Sequence, residues 1–242
     1  MKIVFEQSEK AAFKMMAERI VSALSCKRAR REIFNVALSG GESAKKLFAA
    51  LCGKDFSSAR WDHARFFWID ERCVLPEDDM CNYKHAKELF FDRKKISAEN
   101  IFRIRGEECP VDEAARYSKL VGQMLPSPSG VPSFDCAVLG MGTEGHVGSI
   151  FPSNMGLIES KDLYAVSRPC ENNQWRITAT GALIKSAAKI LCPIVGRDKK
   201  RIFLKTLREI GAGRASTPAA VLFSEIPNME IFTDINTDTK EK

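Results

Sequence analysis

The amino-acid sequence predicts an α/β sandwich built on a mostly parallel sheet. Short apolar runs alternate along the chain with segments of helical periodicity. The apolar runs lack strict polar alternation, as expected of strands buried on both faces. Three of them empty directly into glycine-rich or charged clusters, the pattern of strand ends that open onto ligand-binding loops.

The elements follow in order. Residues 3–5 read as a short strand. From Ser8, a suitable N-cap, Ala12, Met16, Ile20 and Leu24 recur every four residues, and Phe13 and Val21 widen the stripe. Ile33–Leu38 reads as a buried strand running into Ser39-Gly40-Gly41, with a helix from about Ser43 to Leu51. Phe66–Ile69 is a further strand, ending in Asp70-Glu71-Arg72; helices are expected over Asn82–Phe91 and Asp112–Leu125. Pro126–Pro132 is a loop by composition, and a surface connection within one domain, because Phe134–Leu139 resumes a strand at once. That strand empties into Gly140–His146. Leu163–Val166 and Arg176–Thr180 read as strands, Ala182–Ala188 as a helix, Ile190–Val195 as a strand and Asp198–Ile210 as a helix. Ala219–Phe223 is a short apolar segment, and Ile231-Phe232 is expected to close a sheet edge. One domain over residues 1–233 is expected, followed by a polar, frayed tail, Asp234–Lys242.

Composition narrows the function. A chain of 242 residues, 45% hydrophobic and 28% charged, is ordinary for a globular domain with a sizeable core. The net charge of +6 suits a small anionic substrate. The densest basic run, Lys27–Arg31, falls at a helix end where cations complement the dipole, so no nucleic-acid partner is expected. The eight cysteines show no CxxC spacing, which disfavours structural zinc and disulfide staples. Cys136 reads as core, and Cys73, beside a charged motif, as the thiol to watch. No signal-peptide core and no apolar stretch approaching ~20 residues is present, so a cytoplasmic protein without a membrane partner is expected. A monomer, or at most a weak dimer, is expected.

Three clusters carry chemistry. Ser39-Gly40-Gly41-Glu42-Ser43 joins a strand to a helix, where free N–H groups and the helix dipole favour an anion; the plain alternative is a tight turn. In Asp70-Glu71-Arg72, Arg72 can clamp a phosphate and Asp70 can orient a base; a surface ion-pair cluster is the alternative. Gly140–His146 has three glycines in six residues and ends in a histidine suited to general-base work near neutral pH. His63 and His85 read as structural. Gly-x-Ser-x-Gly is absent, nothing marks Ser149 as an activated nucleophile, and no metal motif is found.

Taken together, NVALSGGES at 35–43, FFWIDERCV at 66–74 with Asn82-Tyr83, FDCAVLGMGTEGHVGSIFP at 134–152, RITAT at 176–180 and Gly196–Lys199 resemble the 6-phosphogluconolactonase family, in the family's order. The resemblance implies a three-layer α/β/α, Rossmann-like fold. It implies hydrolysis of 6-phospho-D-glucono-1,5-lactone in the oxidative pentose phosphate pathway, with no metal and no organic cofactor. His146 is then the general base, with Glu144 or Asp70 orienting it. Gly40, Gly41, Ser43, Arg72 and Lys199 hold the phosphate, joined by Arg176, and backbone N–H groups of residues 140–145 form the oxyanion hole. Departures from the family pattern are Glu144 for Asp, Ala44 for Pro, Cys81 for Ser and Trp175 for Pro. The alternatives are a sugar-phosphate isomerase or deaminase of the same superfold and a non-catalytic sugar-phosphate sensor. The deaminases carry Phe-Asn-Glu-Pro after the histidine, where this chain has Ser149-Ile150-Phe151-Pro152.

Overall fold

The computed structural model describes residues 1–168 and 174–237. β1 (Lys2–Phe5) leads into α1 (Glu9–Ala29), which begins as the sequence predicts, with the Ser8 hydroxyl accepting the Ala11 N–H at 3.3 Å. The four-residue stripe Ala12, Met16, Ile20, Leu24 is the buried face of α1. β2 (Phe34–Leu38) is buried throughout and passes into α2 (Gly41–Leu51). α2 starts two residues before the expected Ser43 because Gly40 takes the N-cap position, which puts Ser43 inside the first turn. β3 (Ala64–Trp68) and β4 (Asp70–Arg72) follow, then α3 (Asn82–Ala86), which continues through a π-helical turn (Lys87–Phe91) into α4 (Asp92–Lys94). After α5 (Pro110–Met124) come β5 (Cys136–Val138), β6 (Tyr164–Ser167), β7 (Arg176–Ala179), α6 (Gly181–Ser186), β8 (Ile190–Pro193), α7 (Arg197–Gly211), α8 (Pro218–Glu225) and β9 (Met229–Thr233).

Six strands form one parallel sheet in the order β1-β9-β8-β5-β2-β3, flanked by helices in the predicted α/β/α arrangement. α1 packs on β2, β8 and β9, and α2 packs on α1. The chain adds β3 outside β2, then returns to lay β5 on the other side of β2. The direction of build therefore reverses between β2 and β5, and adjacent crossovers leave a crevice beyond their carboxyl ends. The Ser39 hydroxyl donates to the Val138 carbonyl at 2.8 Å and pins those two ends together.

A second sheet, β4-β7-β6, is antiparallel and is not anticipated by the sequence. Asp70-Glu71-Arg72 reads as a loop cluster but forms one of its strands. Ile69 is the junction. Its N–H donates to Leu38 of the main sheet at 2.8 Å, and its carbonyl accepts from Ala179 of the second at 2.6 Å. The pairing sets Asp70 opposite Thr178 and Arg72 opposite Arg176.

Other expectations change in tertiary context. Ile231 and Phe232 do not close an edge: β9 lies between β1 and β8, both residues are fully buried, and β1 is the edge. Ala219–Phe223 lies in α8, whose N-terminus is capped by the Thr217 hydroxyl accepting the Ala220 N–H. The polar tail does not begin at Asp234. The Asp234 carboxylate accepts the Gly196 N–H at 2.9 Å and Ile235 is buried, while residues 238–242 lie outside the described residues. Cys170 lies outside them too, and the described cysteines are free thiols. Burial pushes the Cys73 thiol up to about 11, which leaves it a poor nucleophile rather than a reactive one. Among the described residues, no helix is long and apolar enough to cross a membrane.

Candidate active site

The loop after β5 folds back on itself. The Gly142 N–H donates to the His146 carbonyl at 2.9 Å, and the Gly145 N–H to the Gly142 carbonyl at 3.1 Å. Gly142 has to be glycine, because a Cβ there would lie 2.0 Å from His146 Cε1. The imidazole rests against Phe151, with ring centroids 4.7 Å apart, and its Nδ1 lies 3.0 Å from Glu144 Oε1. With Glu144 ionised, Nδ1 carries the proton and Nε2 presents its lone pair, the tautomer a general base needs. Burial lowers the His146 pKa below its ordinary value; Glu144 and Asp70 oppose that shift, and the Arg176 charge adds to it.

Asp70 reaches the same cavity, but its Oδ2 accepts the Ser149 hydroxyl at 2.7 Å, so it acts on the imidazole through its charge. Ser149 is wholly buried and its hydroxyl is committed to Asp70, which agrees with its reading as no nucleophile. Glu71 turns away from the cavity. Its carboxylate accepts the backbone N–H groups of Arg72, Asn82 and Tyr83, each at 2.8 Å, and so ties β4 to the start of α3. Burial pushes the Glu71 pKa up to about 7, and the three N–H donors act in the opposite sense.

The anion-binding elements converge from three directions. Gly40, Gly41 and Ser43 line the cavity from the start of α2, with the helix N-terminus behind them. Gly40 is also a required glycine: a Cβ there would lie 1.7 Å from Asn82 Oδ1, so the loop packs directly on that amide. Lys199, in the first turn of α7, extends to within 3.4 Å of the Ser43 hydroxyl, and burial lowers its pKa. Arg72 donates through Nη1 to the Met80 carbonyl at 2.6 Å and faces the cavity beside Arg176. The cavity that these residues share with Gly140, Gly142 and His146 holds about 320 Å³, the size of a small metabolite site.

All nine site residues expected from sequence thus lie at one crevice, eight of them lining the cavity and Glu144 behind the imidazole. Sequence reasoning assigns no role to Asn82. Its amide donates to the Asp70 carbonyl at 2.8 Å while packing on Gly40, and so joins the glycine loop to β4. The hydroxyls of Ser149, Ser167 and Thr178 behind Asp70 are likewise unassigned. Their one signal is that small polar residues stand inside otherwise apolar segments. Among the described residues, no group of three or more His, Cys, Asp or Glu side chains is placed to hold a metal ion.

Residues 7–229 match the family model of glucosamine-6-phosphate isomerases/6-phosphogluconolactonase. The chain is 35% identical to a 6-phosphogluconolactonase of Treponema pallidum over 185 residues, 76% of this chain and 77% of that protein. It is 36% identical to one of Haemophilus influenzae over 187 residues, 77% and 78% of the two chains. Among solved structures, the devB protein superposes with a TM-score of 0.87 at 29% identity, covering 96% of this chain and 95% of that one. The 6-phosphogluconolactonase of Trypanosoma brucei superposes at 0.81, with 24% identity and coverage of 96% and 95%, and shows the same fold.

Proposed function

The chain belongs to the glucosamine-6-phosphate isomerase/6-phosphogluconolactonase family, and we infer from that membership that it hydrolyses 6-phospho-D-glucono-1,5-lactone to 6-phospho-D-gluconate in the oxidative pentose phosphate pathway. One observation carries the assignment of roles: an imidazole held by a carboxylate opens into the same cavity as a helix N-terminus and a half-buried lysine. His146 Nε2 takes a proton from water as the water oxygen attacks the lactone carbonyl carbon. The tetrahedral intermediate then collapses with cleavage of the bond to the ring oxygen, which receives the proton from His146. Glu144 holds the imidazole and stabilises its charged form, and Asp70 adds negative charge nearby. Gly40, Gly41, Ser43, Arg72 and Lys199 hold the phosphate, which fixes the ring for attack.

We propose a monomer, or at most a weak dimer. We propose a cytoplasmic enzyme that acts on a small sugar-phosphate lactone, built as one domain that spans the parallel and antiparallel sheets. The test is saturable turnover of freshly prepared lactone, corrected for spontaneous opening. A rate no faster than the spontaneous one, or ammonia release from glucosamine 6-phosphate, would overturn the reading.

The His146 environment sets the pH profile. A base must be neutral, and its pKa lies below the ordinary 6.5, so kcat/KM is expected to rise with a half-point under pH 6.5 and to be flat through neutrality. Glu144 raises that pKa, so Glu144→Gln is expected to move the acid limb to lower pH while reducing the plateau about 10- to 100-fold. An acid limb that moves upward instead would remove Glu144 as the partner. For the phosphate, Lys199→Ala is expected to lower kcat/KM about 10- to 100-fold, mostly through KM, as loss of a charge-assisted contact does. Unchanged KM in steady-state assays would place the phosphate elsewhere.

A further inference from the structure

Arg176 is a half-buried cation that the phosphate grip does not account for. Its guanidinium has no hydrogen-bond or ion-pair partner among the described residues, and its Nε is sealed from solvent. Its guanidinium carbon stands over the Phe151 ring, 5.7 Å from the centroid. A second guanidinium, Arg72, stands directly opposite across the β4–β7 pair, an arrangement of like charges that is unfavourable without an anion. A guanidinium cannot shed its proton; the Asp70 and Glu71 charges favour it from nearby without pairing with it, and an anionic ligand would supply the acceptor it lacks.

The cavity has two cationic poles. Lys199 and Ser43 mark one, at the N-terminus of the 11-residue helix α2. Arg176 marks the other, where a single ring, Phe151, carries both the guanidinium and the imidazole of His146. The substrate has two matching features: a permanent phosphate, and a carbonyl oxygen that becomes negative only during reaction. The carbonyl must sit beside the base. The loop N–H groups of Gly142 and Gly145, otherwise natural oxyanion donors, are committed to carbonyls within the loop.

We propose that Arg176 is a catalytic residue that stabilises the oxyanion, donating guanidinium N–H groups to the lactone carbonyl oxygen as water adds. This assignment rests on the reading of His146 as the base. As the C–O bond forms, the carbonyl π pair moves onto oxygen beside Arg176, which stays protonated throughout. The pair returns to carbon as the bond to the ring oxygen breaks.

The test is steady-state kinetics of Arg176→Gln, Arg176→Lys and Arg176→Ala over a pH series. Arg176→Gln is expected to lower kcat about 10²- to 10³-fold, the effect of losing one oxyanion donor, with KM changed less than about threefold. Lysine should restore part of kcat, and free guanidinium in the buffer should partly rescue Arg176→Ala. The charged groups around His146 are Glu144, Asp70 and Arg176; removing Arg176 deletes the cation among them, so the acid limb should move to higher pH. A KM increase above tenfold with kcat intact would make Arg176 a phosphate ligand and overturn the proposal. A kcat loss that neither lysine nor guanidinium restores would overturn it as a structural effect. If His146→Ala retains activity, the reading of the base has failed; if His146→Ala is inactive while Arg176→Gln keeps its kcat, only the present assignment has failed.

Discussion

Replacing His146 with alanine is expected to reduce kcat/KM for the lactone by about 10²- to 10⁴-fold, the usual span for removal of a general base. The loss should fall on kcat, because Lys199, Ser43 and the N-terminus of α2 still hold the phosphate. The fold should persist, since His146 lines a cavity rather than filling the core, and its loop is closed by backbone hydrogen bonds at Gly142 and Gly145. The residual rate should lose its acid limb, because the titrating group is gone. Kinetics of the purified variant beside its melting curve make the check. A loss under about tenfold would move the base to another residue, and Asp70 would be the next candidate.

The second large effect is structural. Glu71→Ala is expected to destabilise the chain by about 3–5 kcal/mol, because it strands the buried N–H groups of Arg72, Asn82 and Tyr83 together. For a chain of this size that corresponds to a drop of roughly 10 °C or more in Tm. The same change frees the backbone of Arg72 and the helix start that carries Asn82, so KM for the lactone should rise as well. Glu71→Gln keeps an acceptor oxygen and should fall between the two. Thermal unfolding followed by circular dichroism measures this, and a Glu71→Ala variant that melts within 2 °C or so of the parent would show that β4 and α3 are held by something else.

Glu71 also marks where sequence reading stops. In the one-dimensional string it stands between Asp70 and Arg72 and is indistinguishable from them as a polar residue at a strand end. In three dimensions β4 alternates. Asp70 and Arg72 turn to the cavity, and Glu71 turns inward to satisfy a helix start 11 residues later. The antiparallel sheet is hidden for the same reason: β4 is three residues long, β6 and β7 only four each, and their pairing brings residue 72 to residue 176. Nothing in local propensity encodes a partner a hundred residues away. Asn82 is missed because its importance lies in touching Gly40, not in its own neighbours along the chain.

What the sequence determined by itself is substantial. Periodicity located the helices and the buried strands, because the burial of an apolar face leaves its period in the string. The glycine-rich ends of two strands and the charged end of a third located the crevice, since ligand loops in parallel sheets must follow strand carboxyl ends. Only the tertiary structure decided which polar groups face that crevice and which are spent on the backbone. It paired His146 with Glu144, turned Asp70 toward Ser149, and set the Arg176 guanidinium, unpaired among the described residues, over the same Phe151 ring as the base. The physical reason is that a polar group's role depends on its neighbours in space, and sheet order and strand register bring those neighbours together from distant parts of the chain.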